Sequence, residues 1–516
     1  AHIRFPIVPI KPLSHLSKLY NFNMRKSSLA KLREGFGKKV VHTNVIRIVE
    51  IGLLLPVFVI IVIALWSVWP MVRNSRLITN IGSDGWLITW ILHQPLFSFQ
   101  GNAFYPYHNV LAYSDMFKIS QVVGGGDFAQ VMVIGQLATL LVVYAWWIHF
   151  TKASRTAAAV GAIALGLSRI RWEYQVHMQM WSMQYWLIAV GLVYLWLKGG
   201  RIWKLYLGAI LLGLQIYESP LPVYFAVAVL GILFLKFRPK FTRHLLLAGI
   251  IGGAIIWPAV KVYAGVAREF DFSRDIREAA HNSIGINDLW GKFWSPGLVV
   301  LLLVALTRTP QKDRWLIAVL VVGVVLAMGP VMKWQDKTVK IFNTPIPLPY
   351  AAAYYLVPGW QGLRTPSRWL WLSAFAASGL IAAGLKDVPA KKLWLPMLVA
   401  IIGGTKLTQV ISLPDTVPDV YKWLAGQPGK IVLELPAYSW PHEQIEVERM
   451  YYSLYHGKTL VNGFSGFTPP LVYRLAQDPL ANLPGGVDYI IDHRSGLQIP
   501  GKIVYKDEKN TVYSNH

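Results

Sequence analysis

The stretch "SDGWLITWILHQPLFSFQGNAFYPYHNVLAYSD", from Ser83 to Asp115, sets two aspartates and two histidines among aromatics, directly after the first long apolar run of the chain. A carboxylate at a membrane–water boundary can serve as a general base or hold a hard divalent cation such as Mg2+ or Mn2+. Asp84 is the first choice for either role, and Asp115 is a second acid or metal partner. Glu173 and His177 in "RIRWEYQVHMQ" stand four apart, a spacing that puts two side chains on one helical face, where they would form a metal or acceptor site. Arg274 in "FSRDIRE" and Arg364 and Arg368 in "LRTPSR" suit two-point contact with phosphate oxygens; Arg268 and Arg277 are weaker choices. His93 lies inside the Ser83–Asp115 stretch and could take a direct role there.

Each of these residues has a plainer reading. Ser83 or Asp84 could cap a helix N-terminus, and Asp115 could order a loop. Glu173 and His177 could make a polar interfacial turn, and His93 could pack within its loop. Arg364 and Arg368 flank Pro366 ahead of an apolar run, so snorkelling to headgroups competes with phosphate binding. Glu218 in "YESPLP" is either a working carboxylate at membrane depth or one that reaches the surface. "GGGDF" at 124–128 is followed by no Lys-Ser/Thr pair, so it is not a phosphate loop. His456 and Asn462 could reach an acceptor or order a turn.

The elements that must position these groups are apolar helices. Of 516 residues, 54% are hydrophobic and 15% charged, against about 25% charged in ordinary soluble chains. Long apolar runs fall near 46–71, 128–150, 180–197, 221–235, 244–264, 315–332, 366–385 and 393–412, with shorter ones near 156–168, 203–216 and 298–307. Together they predict about eleven transmembrane helices, the short ones needing partners or tilt to cross. There is no cysteine, which removes disulfides, thiolate metal sites and thiol catalysis. The net charge of +24 is a topology signal rather than a mark of nucleic-acid binding, because it sits in the N-terminal tail and in short turns between apolar runs.

Those turns include Lys152 with Arg155, Lys198 to Lys204, Lys236 to Arg243, Arg308 to Arg314, and Lys386 to Lys392. Basic turns mark the inner side. The basic tail 1–44 is then cytoplasmic, with no cleaved leader expected; Met24 reads as its opening and residues 1–23 as upstream sequence. The long segments 73–127, 265–297 and 333–365 of the membrane domain 45–412 fall outside. From 413 to 516 the pattern changes to short strands ("KIVLELPA", "TLVNGF", "DYIID", "GKIVYK") and a helix ("PDVYKWLAGQPG"). This predicts a small α/β domain on the outer surface of the plasma membrane.

An apolar first span, an Asp opening an outer loop and a "W…H…P…FYP…YSD" run resemble the GT-C superfamily of integral-membrane glycosyltransferases, nearest its bacterial YfhO-like and PMT-like members. Further pieces agree in order: "LSRIRWEYQVHMQMWSMQYWL" around 168–187, "FDFSRDIREAAHNSI" at 270–284, "LVPGWQGLRTPSRWLWL" at 356–372 and "YYSLYHGKTLVNGFSGFTPP" at 451–470. The resemblance implies a polyprenyl-phosphate sugar as donor, a glycan, lipid or protein acceptor met from outside, and a catalytic acid in the first outer loop, where Asp84 stands. Such a transfer needs a base for the acceptor hydroxyl, positive groups or a metal for the departing phosphate, and exclusion of water. Two other readings stay open on the sequence. One is a transporter or flippase for a lipid-linked glycan, although no internal repeat is visible. The other is a non-catalytic membrane scaffold whose outer domain binds a partner.

Overall fold

The computed structural model describes residues 40–79, 82–289, 296–407 and 409–515. The chain divides into two compact units, Ala1–Leu55 and Pro56–His516. The predicted cytoplasmic tail lies outside the described residues except for the helical backbone from Val40. The candidate site residues all belong to the second unit.

Each of the eleven apolar runs forms a helix: Val40–Ser67, Phe128–Trp146, Arg155–Gly166, Gln184–Leu197, Trp203–Leu214, Leu221–Phe237, Arg243–Glu269, Pro296–Arg308, Trp315–Ala327, Leu370–Gly384 and Trp394–Ile402. Among the described residues, three helical stretches are long and apolar enough to cross a membrane: Phe128–Thr151, Met178–Leu197 and Arg243–Glu269. Four more apolar helices have 10–17 residues. At about 1.5 Å per residue these fall short of a bilayer core about 30 Å thick. Arg243–Glu269 buries Ala248, Ala259 and Val266 while exposing Leu246, Leu247, Ile250 and Trp257. Large apolar side chains outside and small ones at the contact are the arrangement of a helix that faces lipid.

The centre of the bundle is Leu370–Gly384, buried at every residue. Small residues let its neighbours approach. A Cβ added at Gly323 would lie 2.4 Å from Ser373 Oγ and 2.8 Å from its backbone nitrogen, so any side chain there would push the Trp315–Ala327 helix away.

The last apolar run is shorter than its composition predicts. Its helix ends at Ile402, before Gly403 and Gly404, and residues Val410–Ser412 form a strand instead. That strand pairs antiparallel with Leu77–Thr79, at the opening of the first outer loop. Beyond it, a mixed sheet is built around Ile431–Leu435. This strand runs parallel to Thr459–Leu460 on one side and to Tyr489–Asp492 on the other. Thr511–Ser514 follows antiparallel, and Lys502–Lys506 forms the edge. "IVLEL" reads as a continuous apolar run because a central parallel strand is covered on both faces. Thr511–Ser514 is a strand that the sequence pattern does not predict.

The 73–127 segment, the predicted first outer loop, packs against both the helices and the C-terminal sheet region. The Asp84–Leu92 helix, buried at every residue after Asp84, packs against Glu443–His456, with Trp86 edge-on to Tyr451 at 5.3 Å. Further on, Tyr105 N–H donates to Leu460 O (2.9 Å) and Leu460 N–H to Asn102 O (3.0 Å), so the loop backbone extends the edge of the sheet. Asn102 Oδ1 also accepts from Trp90 Nε1 at 2.8 Å. Trp90 is 1% exposed and is the pin of this layer. Trp90→Ala should cost about 3–5 kcal/mol, read as a lower thermal-unfolding midpoint, and should make the 94–115 segment the first site of limited proteolysis.

Candidate functional site

Asp84 is placed by backbone constraints on both sides. The preceding strand Leu77–Thr79 is fixed by its pairing with Val410–Ser412. A Cβ at Gly85 would lie 2.5 Å from Thr79 O, so only glycine lets the helix start this close to the strand. Ser83 is the N-cap residue but makes no side-chain cap bond, and Asp84 is the first helical residue. The carboxylate is therefore not spent on capping.

Opposite Asp84 stands His177, with Nε2 3.6 Å from Oδ2, an ion-pair separation too long for a hydrogen bond. The expected shared face of Glu173 and His177 does not form. The helix Arg169–Glu173 stops at Tyr174, which leaves the helical region, and a turn closes with His177 N–H donating to Tyr174 O at 2.9 Å. Glu173 is exposed, whereas His177 is the N-cap of Met178–Trp181. Arg171 holds this turn. It is fully buried, donates from Nε to Gln136 Oε1 (2.8 Å) and from Nη2 to Trp181 O (2.9 Å), and lies 4.2 Å over the Trp181 ring. Burial pulls its pKa down to about 9.

Two arginines of the 363–369 turn complete the cluster. Arg368 acts electrostatically on Asp84, Asp115, Tyr174 and His177, and Arg364 on Asp84 and His177. Tyr174 anchors this turn through a 2.6 Å hydrogen bond to Ser367 Oγ. Burial raises the pKa of Asp84, with Arg368 and Arg364 opposing and Glu443 reinforcing the rise. Its side chain is still 38% exposed, so it sits deep but within reach of a ligand. Burial also lifts Asp115 to about 6; Ser219 and Arg368 pull it back and Asp84 pushes it up. His177 is driven well below 6.5 by burial and by both arginines, and is neutral at pH 7.

Buried polar atoms of this region without a hydrogen-bond partner include Arg368 Nε, His177 Nδ1 and Glu443 Oε2, and also Arg171 Nη1, Gln175 Oε1 and Trp86 Nε1. Each such atom costs about 1–3 kcal/mol, a cost that a ligand pairing with it would offset.

The other expected residues are engaged in further contacts. Arg274 is already engaged: Nη1 contacts Glu278 at 3.1 and 3.3 Å and Nη2 donates to Gly466 O. Arg364 Nη1 approaches the same Glu278 carboxylate at 3.7 Å. His93 is exposed and bonds back to Thr89 O through Nδ1 at 2.8 Å, as a packing residue does. Arg268 donates to its own helix at Ala264 O, and Arg277 is exposed. Asn462 and His456 belong to the C-terminal fold: Asn462 Oδ1 accepts from Glu434 N–H at 2.7 Å, and His456 Nδ1 from Lys458 N–H at 3.1 Å. Asp127 of "GGGDF" caps the helix Phe128–Trp146 by accepting from Gln130 N–H.

Glu218 does not reach the surface. It is fully buried in the turn after Gln215–Tyr217, accepts from Ser120 N–H at 2.8 Å and also from Ser120 Oγ. Its own carbonyl takes Phe117 N–H at 3.1 Å. This contact docks the end of the first outer loop, and with it Asp115, on the 215–219 turn. Glu443, Ser219 and Arg171 carry no recognisable motif; their roles come from contacts across long sequence separations.

Among the described residues no three His, Asp or Glu side chains converge as a metal cage.

No family model matches the chain, and no curated protein matches it. Solved structures do. The arabinofuranosyltransferase AftD from Mycobacteria matches over 89% of this chain at 13% identity and TM-score 0.53. The alignment takes in 39% of AftD, so this chain spans about two fifths of that protein's length. ArnT from Cupriavidus metallidurans bound to undecaprenyl phosphate matches 90% of this chain and 98% of its own at 11% identity and TM-score 0.46. The chain therefore shares its helical fold with AftD, and three helical stretches among its described residues are long and apolar enough to cross a membrane.

Burial lifts Glu218 from 4.5 to about 7, so the protonated form is favoured in the folded state. Its stabilising contribution is complete below about pH 4.5 and is lost as pH rises through about 7, a swing on the order of 3 kcal/mol. Chemical-denaturation midpoints in lipid nanodiscs should therefore fall between pH 5 and 8, and Glu218→Gln should flatten that slope.

Proposed function

We propose that this chain is a membrane glycosyltransferase that moves a sugar from a polyprenyl-phosphate donor to an extracytoplasmic acceptor. The observation that carries the reading is Asp84, free of any capping bond, within electrostatic reach of Arg368, whose Nε is buried without a partner, on a GT-C-like fold. That AftD is an arabinofuranosyltransferase supports glycosyl transfer as the chemistry. In this reading the eleven helices build the plasma-membrane domain, the short ones with partners or tilt, the N-terminal tail is cytoplasmic, and the first outer loop and the 413–516 domain lie outside.

The chemistry follows from the cluster. Asp84 takes the proton of the acceptor hydroxyl as its oxygen bonds to the anomeric carbon. The bond from that carbon to the phosphate oxygen breaks, and its electron pair leaves with the phosphate. Arg364 and Arg368 stabilise the charge that develops on the leaving group. The raised pKa of Asp84 makes it a stronger base than a surface aspartate. Neutral His177 stands beside Asp84 Oδ2 at 3.6 Å without bonding to it, and leaves the carboxylate free to take a proton. Arg274 supports the site at one remove, by tying Glu278, and through it Arg364, to Gly466. A bound Mg2+ or Mn2+ at Asp84 and Asp115 would add charge neutralisation at the phosphate.

The test supplies purified protein in lipid nanodiscs with a radiolabelled polyprenyl-phosphate sugar, with and without EDTA. Asp84→Asn should lower transfer about 10²–10⁴-fold, and Arg368→Ala should raise the donor KM about 10- to 100-fold. Undiminished transfer by Asp84→Asn would reject the base assignment. Loss of transfer in EDTA would assign the metal, and movement of intact labelled lipid across the bilayer would point to a flippase.

A further inference from the structure

One wall of the site takes no part in that chemistry. Glu443 opens the helix Glu443–His456 in the C-terminal part of the chain, which packs on the helix that begins with Asp84 through the Trp86–Tyr451 contact. The other acids of that helix are engaged. Glu446 accepts from Arg449 Nη1 and Tyr438 N–H at 2.9 and 2.7 Å, and Glu448 from Gln444 Nε2 at 3.2 Å. Glu443 Oε2 is buried and has no partner. The carboxylate lies near enough to Asp84 to act on its charge. Arg449, the buried cation of the same helix, is held by Glu434 and Glu446 and does not serve it.

Charges of both signs act on Asp84: Arg364 and Arg368 positive, Glu443 negative. The arginines suit the phosphate. A phosphate is repelled from Glu443, whereas a hydroxyl is a good donor to it. We propose that Glu443 recognises the acceptor: it accepts a hydrogen bond from a hydroxyl neighbouring the one that Asp84 deprotonates, so that the preferred acceptor is a glycan or other polyol with adjacent hydroxyls. This rests on the glycosyltransferase reading above. A serine or threonine of a protein offers a single hydroxyl and would leave Glu443 Oε2 unpaired, the situation in which a polar site discriminates most strongly.

The experiment uses the full chain in lipid nanodiscs with the labelled polyprenyl-phosphate sugar as donor. Acceptors are a methyl glycoside with adjacent free hydroxyls, its mono-deoxy analogue and a Ser-containing peptide. The wild-type protein should prefer the intact glycoside to the deoxy analogue at least tenfold in kcat/KM. Glu443→Gln should raise the acceptor KM about tenfold with kcat within twofold, and should bring the two glycosides together. A wild type that uses both glycosides equally, or the peptide best, overturns this proposal and leaves the glycosyltransferase reading standing. So does a Glu443→Gln variant that keeps the full preference, or one that loses kcat on every acceptor alike. If Glu443→Gln does not fold, Glu443→Asp makes the same comparison, with a partial loss of preference expected. A wild type that transfers to no acceptor removes both readings together.

Discussion

Arg368 carries the charge balance on which the site depends. Two carboxylates and an imidazole are drawn into protein around it, each at a desolvation cost. Its guanidinium offsets that cost for Asp84 and Asp115 and adds to it for His177, which keeps the imidazole neutral. The guanidinium itself is under-used, with Nε buried and unpaired. Such an arrangement is expensive as pure architecture, since a closed bidentate pair would satisfy the same charges at lower energy. It fits a pocket that waits for an anion.

Keeping those groups apart yet close falls to the first outer loop. The Leu77–Thr79 strand, the Asp84–Leu92 helix and the segment through Asn102–Tyr105 each bond to a different part of the region after residue 409. At its far end the loop is docked by Phe117 and Ser120 on Glu218. The loop is therefore structural along its whole length. Its aromatics serve packing: Tyr113, Phe270 and Phe467 meet edge to face at 5.4–5.9 Å about the Tyr113 ring, and only its acids are left for chemistry.

The strands and helices after residue 412 take part in the site through Glu443 and brace it through Gly466, which accepts from Arg274. Their interior is held by a dense polar set around Glu434. This carboxylate receives Tyr421 Oη at 2.7 Å and His493 Nε2 at 2.7 Å, with Arg449 Nε at 3.5 Å. A buried carboxylate with that many donors stays ionised, and its pKa is indeed lowered. The rigidity gives the Glu443–His456 helix a fixed base from which to approach Asp84.

Much of this was legible in the residue pattern. Apolar runs bounded by basic turns identify a helical membrane protein whatever its tertiary arrangement, because lipid demands that each crossing segment satisfy its own backbone. The position of Asp84 just past the first run, and the arginines ahead of the 370–384 run, are likewise local facts. Other features were not legible. Glu173 and His177 keep helical spacing in sequence, but Tyr174 breaks the helix, and the buried Arg171 fixes the following segment through Trp181 O. The final apolar run looks like one span, yet the Leu77–Thr79 strand, far earlier in the chain, claims its end. Glu443 resembles any surface glutamate of an amphipathic helix until that helix is docked on Asp84. Composition and periodicity record what each segment needs from its solvent; which charges meet across the fold is set by long-range packing, and no local spacing encodes it.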